Sequence, residues 1–119
     1  MSKGTSWPVL GTDPGTDGYR IRLALQNGDV RWDPRTSYWL GKHFDNVKYS
    51  VTVVNSMLWQ HVKAGGRITG QRNVKGMDFD VWFYVNLVLD GQERFIKFAI
   101  EPEDDDYPGL LICSTHPPH

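Results

Sequence analysis

Apolar residues occupy every second position from Met77 to Leu89, and this is the clearest structural signal in the chain. Side chains two positions apart lie on the same face of a strand, so one face of this segment is apolar. Asp90-Gly91 follows directly and is typical of a two-residue hairpin turn. The facing pairs across that turn are Val85 with Ile96, Phe83 with Phe98 and Val81 with Ile100. The pattern therefore predicts an antiparallel hairpin at 77–101.

The opposite face of this hairpin mixes aromatic and polar groups. It carries Trp82, Tyr84 and Asn86 opposite Phe95, Lys97 and Ala99. Aromatic rings beside a cation are suited to stacking nucleic-acid bases, and a second packing layer accounts for them equally well. Both interpretations predict that something covers or contacts this face.

A second hairpin is predicted at 19–34, around Asn27-Gly28, because Asn-Gly is the strongest short signal for a hairpin turn. The facing pairs would be Leu25 with Val30 and Leu23 with Trp32 on one face, and Arg22 with Asp33 and Ala24 with Arg31 on the other. One face of this hairpin is thus apolar and the other charged.

A helix is predicted between the two hairpins, capped by Asp45 or Asn46 and ended by Gly65-Gly66. Its apolar residues recur at helical spacing and are Val47, Val51, Val54, Leu58 and Val62. The alternative is that residues 48–54 are extended, since β-branched residues also alternate there.

The chain as a whole is predicted to form one α+β domain. An acidic turn with proline follows the hairpin at 77–101, and residues 109–113 then form a last buried strand that ends at Ser114-Thr115-His116. Residues 1–18 are rich in glycine and proline and are predicted to be an irregular lead-in. The expected architecture of residues 19–119 is a twisted antiparallel sheet of about five strands packed on one main helix.

Composition supports a single globular domain and narrows its chemistry. The 119 residues are 39% hydrophobic and 13% aromatic, and no apolar run reaches the roughly 20 residues that a membrane-spanning helix needs. The single cysteine, Cys113, excludes an intramolecular disulfide and favours a reducing compartment, although part of a larger exported protein would look the same. No nucleotide-binding glycine loop or nucleophile elbow is present.

The charge distribution is more informative than the net charge of -1. Basic residues are concentrated between positions 20 and 75, whereas acidic residues cluster between 90 and 106. A neutral protein with one basic side can bind a polyanion locally, and the alternative is an ordinary solvated surface of mixed charge.

The order of these features resembles the barnase/EndoU/RelE-like ribonuclease superfamily. The resemblance rests on Lys42-His43 before a helix, a basic segment, two long strands around a short turn, and a last strand that ends in Thr115-His116-Pro117, and it spans about residues 38–117. Members occur as toxin domains of bacterial polymorphic toxins and in phage proteins. The resemblance implies metal-independent cleavage of RNA, without a cofactor, by attack of the ribose 2′-hydroxyl on the adjacent phosphorus. It also implies action in a bacterial cytoplasm, possible delivery within a larger exported protein, and an immunity or antitoxin partner.

The resemblance also suggests site residues. The candidate catalytic residues are His43, Arg72, Lys75, Thr115 and His116, and the candidate RNA-binding residues are Lys42, Arg67, Ser114, Tyr84 and Lys97. Histidine titrates near neutral pH and serves as acid or base, hydroxyls hydrogen-bond phosphate, and cations stabilise charge at phosphorus.

The histidines and the hydroxyl residues also have structural alternatives. His43 also fits a loop residue that caps the next helix, and Ser114 and Thr115 also fit groups that satisfy the backbone where a strand ends. His116 fits a frayed terminus, and His61 fits a histidine satisfied within the core.

Two alternatives concern the function as a whole. A metal site formed by Cys113, His116 and His119 would need a fourth ligand, so no metal is expected. The alternative to an enzyme is a non-catalytic protein-binding module, such as a phage inhibitor or immunity protein, that uses the aromatic hairpin face.

Overall fold

The computed structural model describes residues 6–44, 48–72, 79–102 and 104–116. The elements are β1 (Ser6–Pro8), α1 (Asp17–Asn27), β2 (Val30–Trp32), α2 (Pro34–His43), α3 (Val51–Lys63), β3 (Thr69–Arg72), β4 (Val81–Leu89), β5 (Gln92–Ile100) and β6 (Leu110–His116). The six strands of the described residues form one sheet in the order β1-β3-β4-β5-β6-β2. The β2–β6 pair is parallel and the other pairs are antiparallel. The predicted α+β class, with a largely antiparallel sheet packed on a helix, is confirmed.

The hairpin formed by β4 and β5 confirms the alternation seen in the sequence. Its facing pairs include Phe83 with Phe98 and Val85 with Ile96, as predicted. Asp90 and Gly91 have φ values of 54° and 76°, and a type I′ turn needs a positive φ at both central residues. The first two residues of the predicted range, 77 and 78, lie outside the described residues.

The hairpin predicted at 19–34 is wrong, because most of its first half belongs to α1. The Thr16 hydroxyl caps this helix by accepting a hydrogen bond from the Tyr19 amide at 3.2 Å. The buried side of α1 has helical spacing and includes Ile21, Ala24 and Leu25. Gly28 follows the helix with a φ of 74°, a left-handed conformation that ends helices as readily as it forms tight turns. β2 pairs with β6 instead of with a neighbouring strand in sequence.

The predicted central helix is α3, and its buried residues are Val54, Leu58 and Val62. Ser50 caps α3, since its hydroxyl accepts a hydrogen bond from the Val53 amide at 3.2 Å. The predicted caps, Asp45 and Asn46, lie outside the described residues. The alternative prediction, an extended segment at 48–54, is wrong for residues 51–54, because these residues belong to α3.

Two elements, α2 and β1, differ from the sequence-based prediction. Asp33 caps α2 by accepting a hydrogen bond from the Arg35 amide at 2.8 Å, and a proline follows at the first helical position. β1 lies within the predicted irregular lead-in, 1–18, and forms an edge of the sheet. Trp7 of β1 faces Gly70 of β3, where an added Cβ would lie 2.6 Å from the indole. Glycine at this position therefore makes room for the Trp7 ring.

All three helices pack on one face of the sheet and share one core. Its buried residues include Ile21, Leu40, Val54 and Leu58 from the helices and Phe83, Val85, Ile96, Phe98 and Ile112 from the strands. The alternate strand positions face away from this core and define the outer face, which carries Trp82, Tyr84, Asn86, Phe95, Lys97 and Ser114. Within the described residues, every helix is too short or too polar to cross a membrane.

Candidate functional site

A row of three side chains crosses the outer face. The register places Tyr84 opposite Lys97, and Lys97 opposite Ser114. Lys97 Nζ lies 5.7 Å from the centroid of the Tyr84 ring and 4.6 Å from that of Trp82, within the range of cation–π attraction. Three of the candidate RNA-binding residues thus lie side by side on neighbouring strands.

Partial burial alters the protonation chemistry of this row. Desolvation lowers the pKa of Lys97, against the opposing charge of the Cys113 thiolate, and desolvation raises the pKa of Tyr84. The Tyr84 hydroxyl therefore stays protonated at neutral pH and remains a hydrogen-bond donor. A partly desolvated ammonium attracts an approaching anion more strongly than a fully hydrated one does.

A cleft of about 650 Å³ opens beside the row, and it is called the outer cleft below. It is lined by Ser6, His61, Arg67, Thr69, Gln71, Tyr84, Asn86 and Phe95. The rings of Tyr84 and Phe95 meet edge to face, with centroids 6.3 Å apart. The volume lies in the range of small-ligand sites. The lining combines two aromatic residues with six polar or charged ones.

His61 is the acid–base group of the outer cleft. It lies in the last turn of α3, and its Nε2 is 2.9 Å from the carbonyl oxygen of Arg67. A carbonyl only accepts hydrogen bonds, so Nε2 carries the proton and Nδ1 of the neutral ring is the proton acceptor. A Cβ at Gly66 would lie 2.5 Å from Nε2, so glycine lets the ring pack against the loop. From the sequence, His61 was interpreted as a histidine satisfied within the core.

Arg67 supplies a cation to the same cleft. Its side chain is exposed, and it forms no ion pair with any residue that the structure describes. The following residue, Ile68, is buried and anchors the loop to the core. The Arg67 guanidinium has five donors in a planar fork, a geometry that suits phosphate oxygens.

The described candidate catalytic residues are not among the residues that line the outer cleft. His43 is exposed at the end of α2, stacked on Trp39 at 4.3 Å, and its Nδ1 is 3.0 Å from the Trp39 carbonyl oxygen. Arg72 is exposed at the end of β3, and Lys75 lies outside the described residues. Thr115 is buried on the helix side of the sheet, where it faces a core residue of β5.

Two further candidates are Lys42, which is described in full, and His116, of which only the backbone is described. Lys42 lies beside His43 on α2, with its Nζ 5.7 Å from the centroid of the Tyr38 ring. His116 ends β6, and its backbone pairs with Phe95, which lines the outer cleft. The side chain of His116 lies outside the described part of the chain, so the proximity of the two candidate catalytic histidines stays a prediction.

A β-bulge decides which face each hydroxyl of β6 occupies. The facing pairs are Lys97 with Ser114 and Phe98 with Ile112. Cys113 is therefore an extra residue that β5 does not match. Strict alternation from the buried Ile112 would place Ser114 in the core, whereas the bulge turns Ser114 to the outer face and Thr115 towards the helices.

The thiol of Cys113 is expected to react slowly with alkylating agents. Burial raises its pKa to about 11, despite the opposing effect of Lys97. Because the thiolate is the reactive form, the native protein at pH 8 should be alkylated about a hundredfold more slowly than an exposed thiol. Labelling with iodoacetamide, followed by mass spectrometry, measures the rate. Protein unfolded in urea is the control, and equal rates in the two states would contradict burial of the thiol.

The alternative metal site is only partly described, because His119 and the side chain of His116 lie outside the described residues. Among the side chains that are described, no three of His, Cys, Asp or Glu come together as metal ligands.

No family model, curated protein or solved structure matches the chain. The outer cleft has the groups needed to stack a base, bind a phosphate and transfer a proton.

Proposed function

We propose that this chain is a ribonuclease that binds single-stranded RNA in the outer cleft and cleaves it without a metal ion. The observation that supports this proposal is that the cleft holds His61 and Arg67 beside Tyr84 and Phe95. Single-stranded RNA presents unstacked bases, which stack on aromatic rings, and phosphates, which bind guanidinium and ammonium groups. The lining of the outer cleft is therefore suited to binding ribonucleotides.

The proposed reaction is an attack of the ribose 2′-hydroxyl on the adjacent phosphorus. Nδ1 of His61 takes the hydroxyl proton, and a bond forms between the 2′-oxygen and phosphorus. The bond from phosphorus to the 5′-oxygen breaks, a cyclic phosphate remains, and the leaving oxygen takes a proton from water. Arg67 and Lys97 stabilise the additional negative charge at phosphorus during the attack.

The proposal extends to a toxin that acts in a bacterial cytoplasm and is held inactive by an immunity or antitoxin protein. This extension follows from the resemblance to barnase/EndoU/RelE-like toxin domains. Arg67 lines the cleft and Lys97 lies in the row beside it, so the proposed partner is acidic where it covers these two cations.

Tyr84→Leu is expected to weaken binding of a short single-stranded RNA by about 5- to 150-fold, because stacking of a base on an aromatic ring contributes about 1–3 kcal/mol. Fluorescence anisotropy with 2′-O-methyl RNA measures affinity, since this RNA cannot be cleaved by 2′-hydroxyl attack. Val88→Ala is the matched control, because Val88 is an exposed residue of the same strand and face. Unchanged affinity in Tyr84→Leu would contradict binding in the outer cleft. No binding by the wild type would favour the protein-binding module.

A further inference from the structure

Arg94 is a buried cation on the helix side of the sheet. It lies near the start of β5, and only 7% of its surface is exposed. Its Cζ is 4.5 Å from the centroid of the Trp39 ring and 5.9 Å from that of Phe44. Burial lowers the pKa of Arg94, yet a guanidinium keeps its charge near neutral pH. The aromatic rings offer cation–π attraction but no counter-charge.

Several polar groups around Arg94 have unmet hydrogen-bonding capacity. Nη2 donates one long hydrogen bond, of 3.4 Å, to the carbonyl oxygen of Thr115. In the part of the chain that the structure describes, Nε of Arg94 and Oγ1 of Thr115 are buried without a hydrogen-bond partner. Among the described residues, no carboxylate forms an ion pair with this guanidinium. Buried charges in proteins are normally paired, so a cation and a hydroxyl left open beside each other indicate a site for an anion.

We propose that Arg94 and Thr115 form a binding site for a phosphate group. The guanidinium donates from Nε and Nη, and the Thr115 hydroxyl donates a further hydrogen bond. A guanidinium fork together with a hydroxyl supplies several donors, which suits the several oxygens of a phosphate group. The bound anion neutralises the buried charge.

An anion reaches this site by displacing the ring of Trp39. This ring is half-buried and contacts both Arg94 and the exposed His43, so its displacement opens the guanidinium to solvent. The site lies on the opposite face of the sheet from the outer cleft and is independent of RNA cleavage. The ligand is either inorganic phosphate or the terminal phosphate of an oligonucleotide.

Exchange of chloride for inorganic phosphate at constant ionic strength is expected to raise the Tm of the wild-type chain by about 5 °C at roughly ten times the Kd. Thr115→Val preserves the side-chain shape and should weaken phosphate binding by about tenfold, because it removes one hydrogen bond to a charged group. Arg94→Met should abolish the phosphate response. Its Tm without phosphate should not fall below that of the wild type, because methionine keeps the apolar packing and removes an uncompensated charge.

Thr52→Val is the matched control, since Thr52 is exposed on α3 and should leave the phosphate response unchanged. A second arm compares a 5′-phosphorylated dinucleotide with its 5′-hydroxyl form, and a shift with the phosphorylated form alone would assign the site to a terminal phosphate. The proposal is overturned if neither probe shifts the Tm beyond chloride. It is also overturned if Thr115→Val responds like the wild type, a result that can be read even where Arg94→Met does not fold.

Discussion

His61→Gln is expected to slow RNA cleavage by about 10²- to 10⁴-fold, which is the usual contribution of a positioned acid–base group. The glutamine amide retains a donor for the Arg67 carbonyl oxygen but lacks the proton-accepting nitrogen of the ring. The rate is measured with end-labelled single-stranded RNA in the presence of EDTA, and the products are tested for a cyclic phosphate end. Affinity for 2′-O-methyl RNA should stay near that of the wild type, since the aromatic platform is unchanged.

His43→Gln is the matched variant for this experiment. His43 is exposed on α2, and the family resemblance implies for it the proton transfer that the proposed mechanism gives to His61. Loss of cleavage in His61→Gln alone supports the outer cleft as the active site. Loss in His43→Gln alone would move the reaction to the helix side of the sheet. Intact RNA with the wild-type protein would contradict the ribonuclease proposal.

Phe98→Ala is expected to lower the free energy of unfolding by about 3–5 kcal/mol, the typical cost of removing a buried aromatic ring. The Phe98 side chain is 1% exposed on a central strand, and its ring stacks on Phe83 with centroids 5.7 Å apart. A loss of this size is a large part of the roughly 5–15 kcal/mol that stabilises a typical domain.

Urea unfolding of Phe98→Ala and Val88→Ala measures the difference. Val88 lies on the outer face of the partner strand and is 56% exposed, so its substitution should change stability by no more than about 0.5 kcal/mol. Similar unfolding midpoints for the two variants would show that Phe98 does not pack in the core as described.

The β4–β5 hairpin was predictable because two independent signals agree on it. The alternation from Val81 to Leu89 fixes which side chains enter the core, and Asp90-Gly91 fixes the turn. A shift of register by one residue would bury Tyr84 and expose Phe83, so the pattern permits one pairing.

The region before residue 34 was mispredicted because its signals are shared by two structures. Ile21, Leu23 and Leu25 alternate as in a strand, whereas Ile21, Ala24 and Leu25 have helical spacing. Gly28 supplies a left-handed residue that suits a hairpin turn and a helix end alike. The cap formed by Thr16 and packing of α1 against α3 favour the helix, and that packing is not visible in local sequence.

The candidate site was predictable in its binding surface but not in its acid–base group. Tyr84, Lys97 and Ser114 follow from strand register, apart from the bulge that turns Ser114 outward. His61 is remote in sequence from these strands, and its position depends on a loop that lets its ring contact the Arg67 carbonyl. The glycine pair followed by arginine after the helix was the available signal.

The bulge at Cys113 determines which hydroxyl residue reaches each of the two proposed sites. Ser114 and Thr115 lie on opposite faces because neighbouring strand residues alternate, and the unmatched Cys113 leaves Ser114 opposite Lys97 and Thr115 opposite Ile96. If Cys113 instead paired with Lys97 in a regular ladder, Ser114 would move into the apolar core opposite Ile96, and Thr115 would move to the outer face opposite Phe95. Deleting Cys113 would keep both facing pairs, so homologous chains that lack this residue should still place the two hydroxyls on the same faces as here.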